Sequence, residues 1–270
     1  MTRSLVLGAA CLLASQAARA EPDDLVARPL TLEAGELDLR LTASINSDQA
    51  ATGRPVSLAP DAWFGIAPRW TVGIIHSDQS LDQIATSGSF CIRDSQFGAC
   101  QHLYQGSGID VRFGALEGDL AIAPRVRAVV RDIEPFKPAV TLGATVRWTQ
   151  GRFAIASDPY LRLPLANHEL GNRAAIALPL WFAVQPAPGW MIGFRTGFAS
   201  DLVVLGDGGH VPVAFDVSTR ITEDVDGGLE AGWGSLLGPQ QEVRTVTVMV
   251  MVGWRYRPRR ARVITSGRGA

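Results

Sequence analysis

Beyond residue 20 the chain has no apolar run long enough to cross a bilayer as a helix. The longest, Ala174 to Val184, holds eleven residues and is interrupted by Pro179, whereas a membrane helix needs about 20. Helical membrane spans are therefore excluded. Cysteine is scarce: of three, Cys11 lies in the first twenty residues, and Cys91 and Cys100 have only His102 nearby, too few ligands for a structural zinc site. No excess of positive charge provides a nucleic-acid surface. Catalytic signatures are also missing. There is no GxSxG elbow and no HExxH helix, and His76, His102, His168 and His210 are scattered, so no triad or metal cage can be read from spacing. No cofactor is expected.

What the sequence holds instead is alternation over strand-length stretches. From Arg244 to Tyr256, Val246, Val248, Val250, Val252, Trp254 and Tyr256 share one face, while Thr245, Thr247, Met249, Met251, Gly253 and Arg255 share the other. A period of two predicts a strand. One such strand also fits a soluble sandwich with one wet face, so the decision rests on the whole chain.

The first twenty residues, with Arg3 ahead of an apolar stretch from Leu5 to Leu13 and small Ala18 and Ala20 before Glu21, predict a secretory signal peptide. Residues 1–20 carry two arginines and no acid, so the remaining 250 residues hold 23 basic and 26 acidic side chains, a net charge of −3. No linker or composition shift divides them, and a single domain is expected. The organisation predicted is a signal peptide over 1–20, an N-terminal periplasmic lead over 21–34, a barrel over 35–257 and a tail over 258–270.

Twelve alternating stretches follow the lead. They run over residues 35–45, 58–68, 70–76, 108–116, 119–130, 139–148, 153–165, 174–184, 190–200, 211–221, 228–237 and 244–256, the seventh weakened by Pro159. Connections after odd-numbered stretches include the long ones, such as Ser77 to Gly108, and those after even-numbered stretches are mostly tight. Short turns on one side and longer loops on the other characterise a closed barrel in the outer membrane, and a sandwich has no reason to produce that asymmetry. The fold expected is all-β, a single closed antiparallel transmembrane barrel of about twelve strands.

From Gly35 to Arg257 the pattern resembles outer-membrane porins and transporter-like barrels. That resemblance implies outer-membrane lipid and lipopolysaccharide around the wall and insertion by the barrel assembly machinery. Such barrels often end in an aromatic residue. Tyr256 closes the last stretch here, but RPRRARVITSGRGA follows it, a departure from the usual end. Trp63, Trp70, Trp148, Trp181, Trp190, Trp233, Trp254 and Tyr256 are expected to serve as interface girdles.

With the apolar parity turned to lipid, the other parity carries Glu36, Asp38, Arg40, Asp110, Arg112, Arg125, Arg127, Arg131, Arg147, Arg162, Arg195, Asp216, Arg220 and Arg255. So many charges need water or partners, which argues for a hydrated or ion-paired lumen. Arginine exceeds acid in this set, and the function expected is passive diffusion of small hydrophilic solutes with a weak preference for anions. A sealed structural or adhesive barrel is the alternative. Some twelve-stranded outer-membrane barrels are phospholipases with a His and a Ser on the outer face, but no such pairing can be assigned here. A lipid-modifying enzyme stands behind both readings. In the longest loop, Cys91 and Cys100 are expected to form a disulfide.

Overall fold

The computed structural model describes residues 24–46, 56–77, 90–91, 103–205, 207–239 and 246–258. Within them, fourteen strands form one antiparallel sheet: β1 (Leu37–Asn46), β2 (Val56–Ala67), β3 (Trp70–Ile75), β4 (Phe90–Cys91), β5 (Ser107–Phe113), β6 (Leu120–Ile133), β7 (Phe136–Gln150), β8 (Phe153–Ser157), β9 (Tyr160–Pro164), β10 (Ala175–Ala187), β11 (Trp190–Asp201), β12 (Val211–Arg220), β13 (Val225–Leu237) and β14 (Val246–Tyr256). β1 pairs with β2 on one edge and with β14 on the other, where Leu37 faces Tyr256 and Asn46 faces Thr247. The sheet is therefore closed. Closure leaves no edge of unpaired backbone groups, the condition under which strands can cross hydrocarbon.

Twelve staves make up the wall, as the alternation predicts. β8 and β9 share one of them, lying end to end between β7 and β10. Asp158 and Pro159 make the break. β4 was not legible in the sequence: it folds back from the long loop and pairs Cys91 with Ser57 and Phe90 with Leu58 of β2, beyond the residues of β2 that pair with β3.

Burial alternates along the staves in the sense a lipid-facing wall requires. Val126 of β6 and Leu142 of β7 oppose each other on the outside and are 48% and 44% exposed, whereas Arg127, the next residue along β6, is 2% exposed. Leu39, Phe64, Ile74, Ile109, Leu180, Phe215, Leu229 and Val250 are exposed in the same way. A sandwich would bury this apolar surface between its sheets, while a transmembrane barrel presents it to lipid.

Tight turns around Pro68-Arg69, Gly151-Arg152 and Pro188-Gly189 gather at one end, together with the start of β1 and the end of β14. Outer-membrane barrels place this end in the periplasm. Trp70, Trp148, Trp190, Trp254 and Tyr256 face outward near it, and Trp233 faces outward within β13. Trp63 and Trp181 depart from the girdle expected of them. Their positions on the inner parity of β2 and β10 turn them into the lumen, where Trp63 is 5% exposed.

Candidate functional site in the barrel lumen

Small residues line much of the inner face, among them Ala121, Ala123, Ala154, Ala177, Ala199 and Ala214. They leave room for long charged side chains from neighbouring staves. Asp110 on β5 is fully buried and accepts from Arg112 Nε at 2.5 Å, from Arg127 Nε at 3.2 Å and from the Trp63 indole at 3.2 Å. The guanidinium carbons of Arg40 and Arg112 stand 5.5 and 5.3 Å from the Trp63 ring centre, within cation–π range.

A second cluster occupies β10 to β13. Arg195 Nε lies 3.5 Å from Asp216 Oδ1 and 3.0 Å from Glu230 Oε2, and Trp181 Nε1 donates to Asp216 Oδ1 at 3.0 Å. Asp216 and Glu230 are directly opposed in register. Arg195 offsets the repulsion between these like charges.

Between the clusters Arg125, 3% exposed, binds Asp158 Oδ2 at 2.6 Å. Thr145 donates to the same carboxylate at 3.1 Å, and the Tyr160 ring lies 6.0 Å from the Arg125 guanidinium. Arg125 Nε and Nη2 are buried and have no hydrogen-bond partner among the described residues. Its cross-strand neighbour is Arg112, again a like charge. A recess of about 80 Å³ beside this point is lined by Thr145, Ala156, Asp158, Pro179, Trp181 and Arg195, among others.

Toward the periplasmic end Asp38 pairs with Arg255 at 3.1 Å and approaches Arg40 at 3.8 Å, while Glu36, just before β1, meets Arg257 at 3.4 Å. Arg220 lies 3.8 Å from Asp226. Arg147 turns inward and donates to the backbone carbonyls of Ala27 and Arg28. Arg131 is exposed, and Arg162 meets Asp201 at 3.2 Å. The structure thus groups Asp110 with Arg112 and Arg127, Asp216 with Arg195, and Asp38 with Arg40, and keeps Glu36 at the rim.

The acids that complete these groups are largely ones the sequence reading passed over, Asp158, Asp201, Asp226 and Glu230, and the inner face also carries Asp61, which accepts from the His76 and Ser77 amides. Asp61, Asp226 and Glu230 share the inner parity of β2 and β13, so extending the parity rule to those strands would have found them. Asp158 sits in the break of a stave and Asp201 at a strand end, where parity carries less information. Their inclusion makes the inner face close to balanced in charge. Cys91 is buried at the end of β4. Cys100, like the signal segment, lies outside the described residues.

No family model matches the sequence, and neither does any curated protein. Solved structures do match by fold. The NanC porin superposes with a TM-score of 0.55 at 8% identity, over 81% of this chain and 98% of that one. The KdgM porin in complex with disordered oligogalacturonate gives 0.52 at 10% identity, over 82% and 99%. The COG4313 outer membrane channel from Pseudomonas putida F1 gives 0.52 at 10% identity, over 84% and 97%. Closure, the lipid-facing belt and this likeness of fold define the class: a porin-like β-barrel of the outer membrane.

Proposed function

We propose that the barrel is a channel for passive diffusion of small hydrophilic solutes, with a weak preference for anions. The observation that carries this reading is the group of Arg112, Arg125 and Arg127 around Asp110 and Asp158, three cations to two carboxylates. Within it Arg125 has two buried guanidinium nitrogens without a hydrogen-bond partner among the described residues. A buried guanidinium in that state gains from an anion or from water, either of which a hydrated lumen would supply. Its fold neighbours support a channel role, and the oligogalacturonate in the KdgM structure is a polyanion. Phosphates and acidic sugars are the solutes proposed for this chain, because a planar guanidinium offers paired donors to such groups.

Planar-bilayer recording of refolded protein in a salt gradient tests the proposal. The expected result is a stable unit conductance whose reversal potential lies on the anion side and moves toward zero in Arg127→Gln. A folded barrel that stays electrically silent favours the second reading, a structural or adhesive barrel whose activity lies in its outer loops. That reading draws support from the ion pairs that join neighbouring staves along the inner wall, such as Arg195 with Asp216 and Glu230.

A further inference from the structure

The N-terminal lead does not hang below the barrel. Its described part, residues 24–34, enters the periplasmic mouth and touches staves all around it. The Leu25 and Val26 amides donate to Gln185 Oε1 of β10 at 2.7 and 3.3 Å, and both side chains pack with Ala154, Ala183 and Met191. Arg147 of β7 donates to the Ala27 and Arg28 carbonyls. Arg28 forms a two-pronged ion pair with Asp226 of β13, its Nη2 lying 2.8 Å from Oδ1. The Leu32 amide donates to Thr71 of β3 at 2.8 Å, and its side chain joins Trp63 and Ile75.

β10 and β3 stand nearly opposite in the ring. Six residue steps separate Val26 from Leu32 and reach at most about 21 Å, so the lead crosses the mouth from wall to wall. The wall is shaped to receive it. A Cβ at Gly65 would come within 2.7 Å of the Glu33 carbonyl carbon, and one at Gly114 within 2.9 Å of Thr31 Oγ1. Beyond the seat, the Gly35 amide donates to the Gly65 carbonyl at 2.7 Å, and the Gly65 amide to the Glu36 carbonyl at 2.9 Å. Gly35 itself has φ +83°, a left-handed conformation that suits glycine at a sharp change of direction.

We propose that residues 24–34 are a resident plug: a tethered segment that narrows the periplasmic mouth and swings clear about Gly35. It also withholds Arg147 from solutes, because two backbone carbonyls occupy the donors that an anion would use. Its contacts suit reversible seating. The lead forms no strand pairing of its own, and Arg28 and Asp226 remain 22% and 25% exposed at a wet rim, where ion pairs exchange readily with solvent.

The plug rests on the channel reading, and two measurements separate the two claims. The chain from residue 21 onward is refolded as wild type, as Arg28→Ala, as Gly65→Ala, which unseats Glu33 without changing charge, and without residues 24–33. Hydrogen exchange followed by mass spectrometry should show slow exchange at Leu25, Val26 and Leu32 in the wild type, at least tenfold faster in Gly65→Ala. Exchange at the rate of an unstructured chain in the wild type overturns the plug whatever the conductance. In bilayers the unit conductance should rise threefold or more in the deletion, with smaller rises in both substitutions. Equal, non-zero conductance in all four overturns the plug and leaves the channel standing. Silence from all four folded barrels overturns the channel reading and, with it, any gating by the lead.

Discussion

The indole nitrogen of Trp63 donates to the carboxylate of Asp110 at 3.2 Å across the strand that lies between them. The three residues Trp63, Gly73 and Asp110 stand in one register row, and Arg127 continues it on β6. Gly73 makes the reach possible: a Cβ there would lie 2.6 Å from Trp63 Nε1. The arrangement recurs half-way round the barrel, where Trp181 passes Gly193 to reach Asp216 at 3.0 Å. Each tryptophan thus fixes a carboxylate in the position where lumenal arginines need it. Because the donor, the gap and the acceptor lie on separate strands, no sequence repeat announces the motif.

The first prediction concerns this row. Trp63→Phe should lower stability by about 1 kcal/mol, the net worth of one hydrogen bond. Gly73→Ala should cost more, since the new methyl evicts the ring and its packing on Arg40 and Arg112 as well as the bond. Asp110→Ala should be the most damaging, about 3–5 kcal/mol, because two arginines lose a buried carboxylate. Urea unfolding midpoints of detergent-refolded protein check the order. An Asp110→Ala midpoint equal to that of Trp63→Phe would contradict it.

A second prediction tests the wall. Leu142 lies mid-way along β7 and faces outward opposite Val126. Leu142→Arg should impair insertion into lipid vesicles by about 2–4 kcal/mol, the depth-dependent cost at a bilayer midplane. Trp254→Arg, near the periplasmic interface, should cost about 0–1 kcal/mol in charge placement, apart from the lost ring. Equal tolerance of both would mean that Leu142 does not face hydrocarbon. The measurement is the folded fraction by heat-modifiable gel mobility across a urea series.

The wall was legible in the sequence because lipid imposes one requirement on every stave. Outward side chains are apolar at most positions, so the period of two persists from Leu37 to Tyr256, and even Pro159 interrupts a stave without displacing it. The lumen has no such uniform rule. Arg125 was found by parity, yet its partner Asp158 lies where the strand breaks. β4 depends on a pairing between Cys91 and Ser57, 34 positions apart, which no local pattern encodes. The lead was hidden for a similar reason: Leu25, Arg28 and Leu32 look like ordinary linker residues until the mouth that receives them is assembled.

The third prediction addresses the long loop. Its described ends meet at the extracellular rim, where Phe90 stacks near Tyr104 at 5.0 Å and near His76 at 5.7 Å, and the Cys91 amide donates to the Leu103 carbonyl at 2.9 Å. A bond from Cys91 to Cys100 would hold this short β4 pairing in place, with a chain-entropy gain of about 2.5–3 kcal/mol. Intact mass should rise only after reduction and alkylation, by two alkyl groups. Two thiols alkylated in the unreduced native protein would refute the bond. Cys91→Ser should leave insertion intact and raise protease sensitivity in the loop.

The last prediction concerns selectivity at Arg125. Asp158 neutralises one side of this guanidinium at 2.6 Å, and Thr145 holds the carboxylate from across the stave. Arg125→Gln removes the cation and leaves Asp158 in the lumen, so the anion-to-cation permeability ratio should fall several-fold. Asp158→Asn works in the opposite direction: it keeps the amide geometry for Thr145 but uncovers the charge on Arg125, and the ratio should rise. The two substitutions shift the local charge by equal amounts of opposite sign, so a path beside them should respond with reversal potentials displaced to opposite sides of the wild-type value. Displacement in one direction by both would indicate altered width rather than altered field. No displacement by either would place the path of permeant ions away from this wall, since a charge within a Debye length of about 8 Å at physiological salt acts on a passing ion.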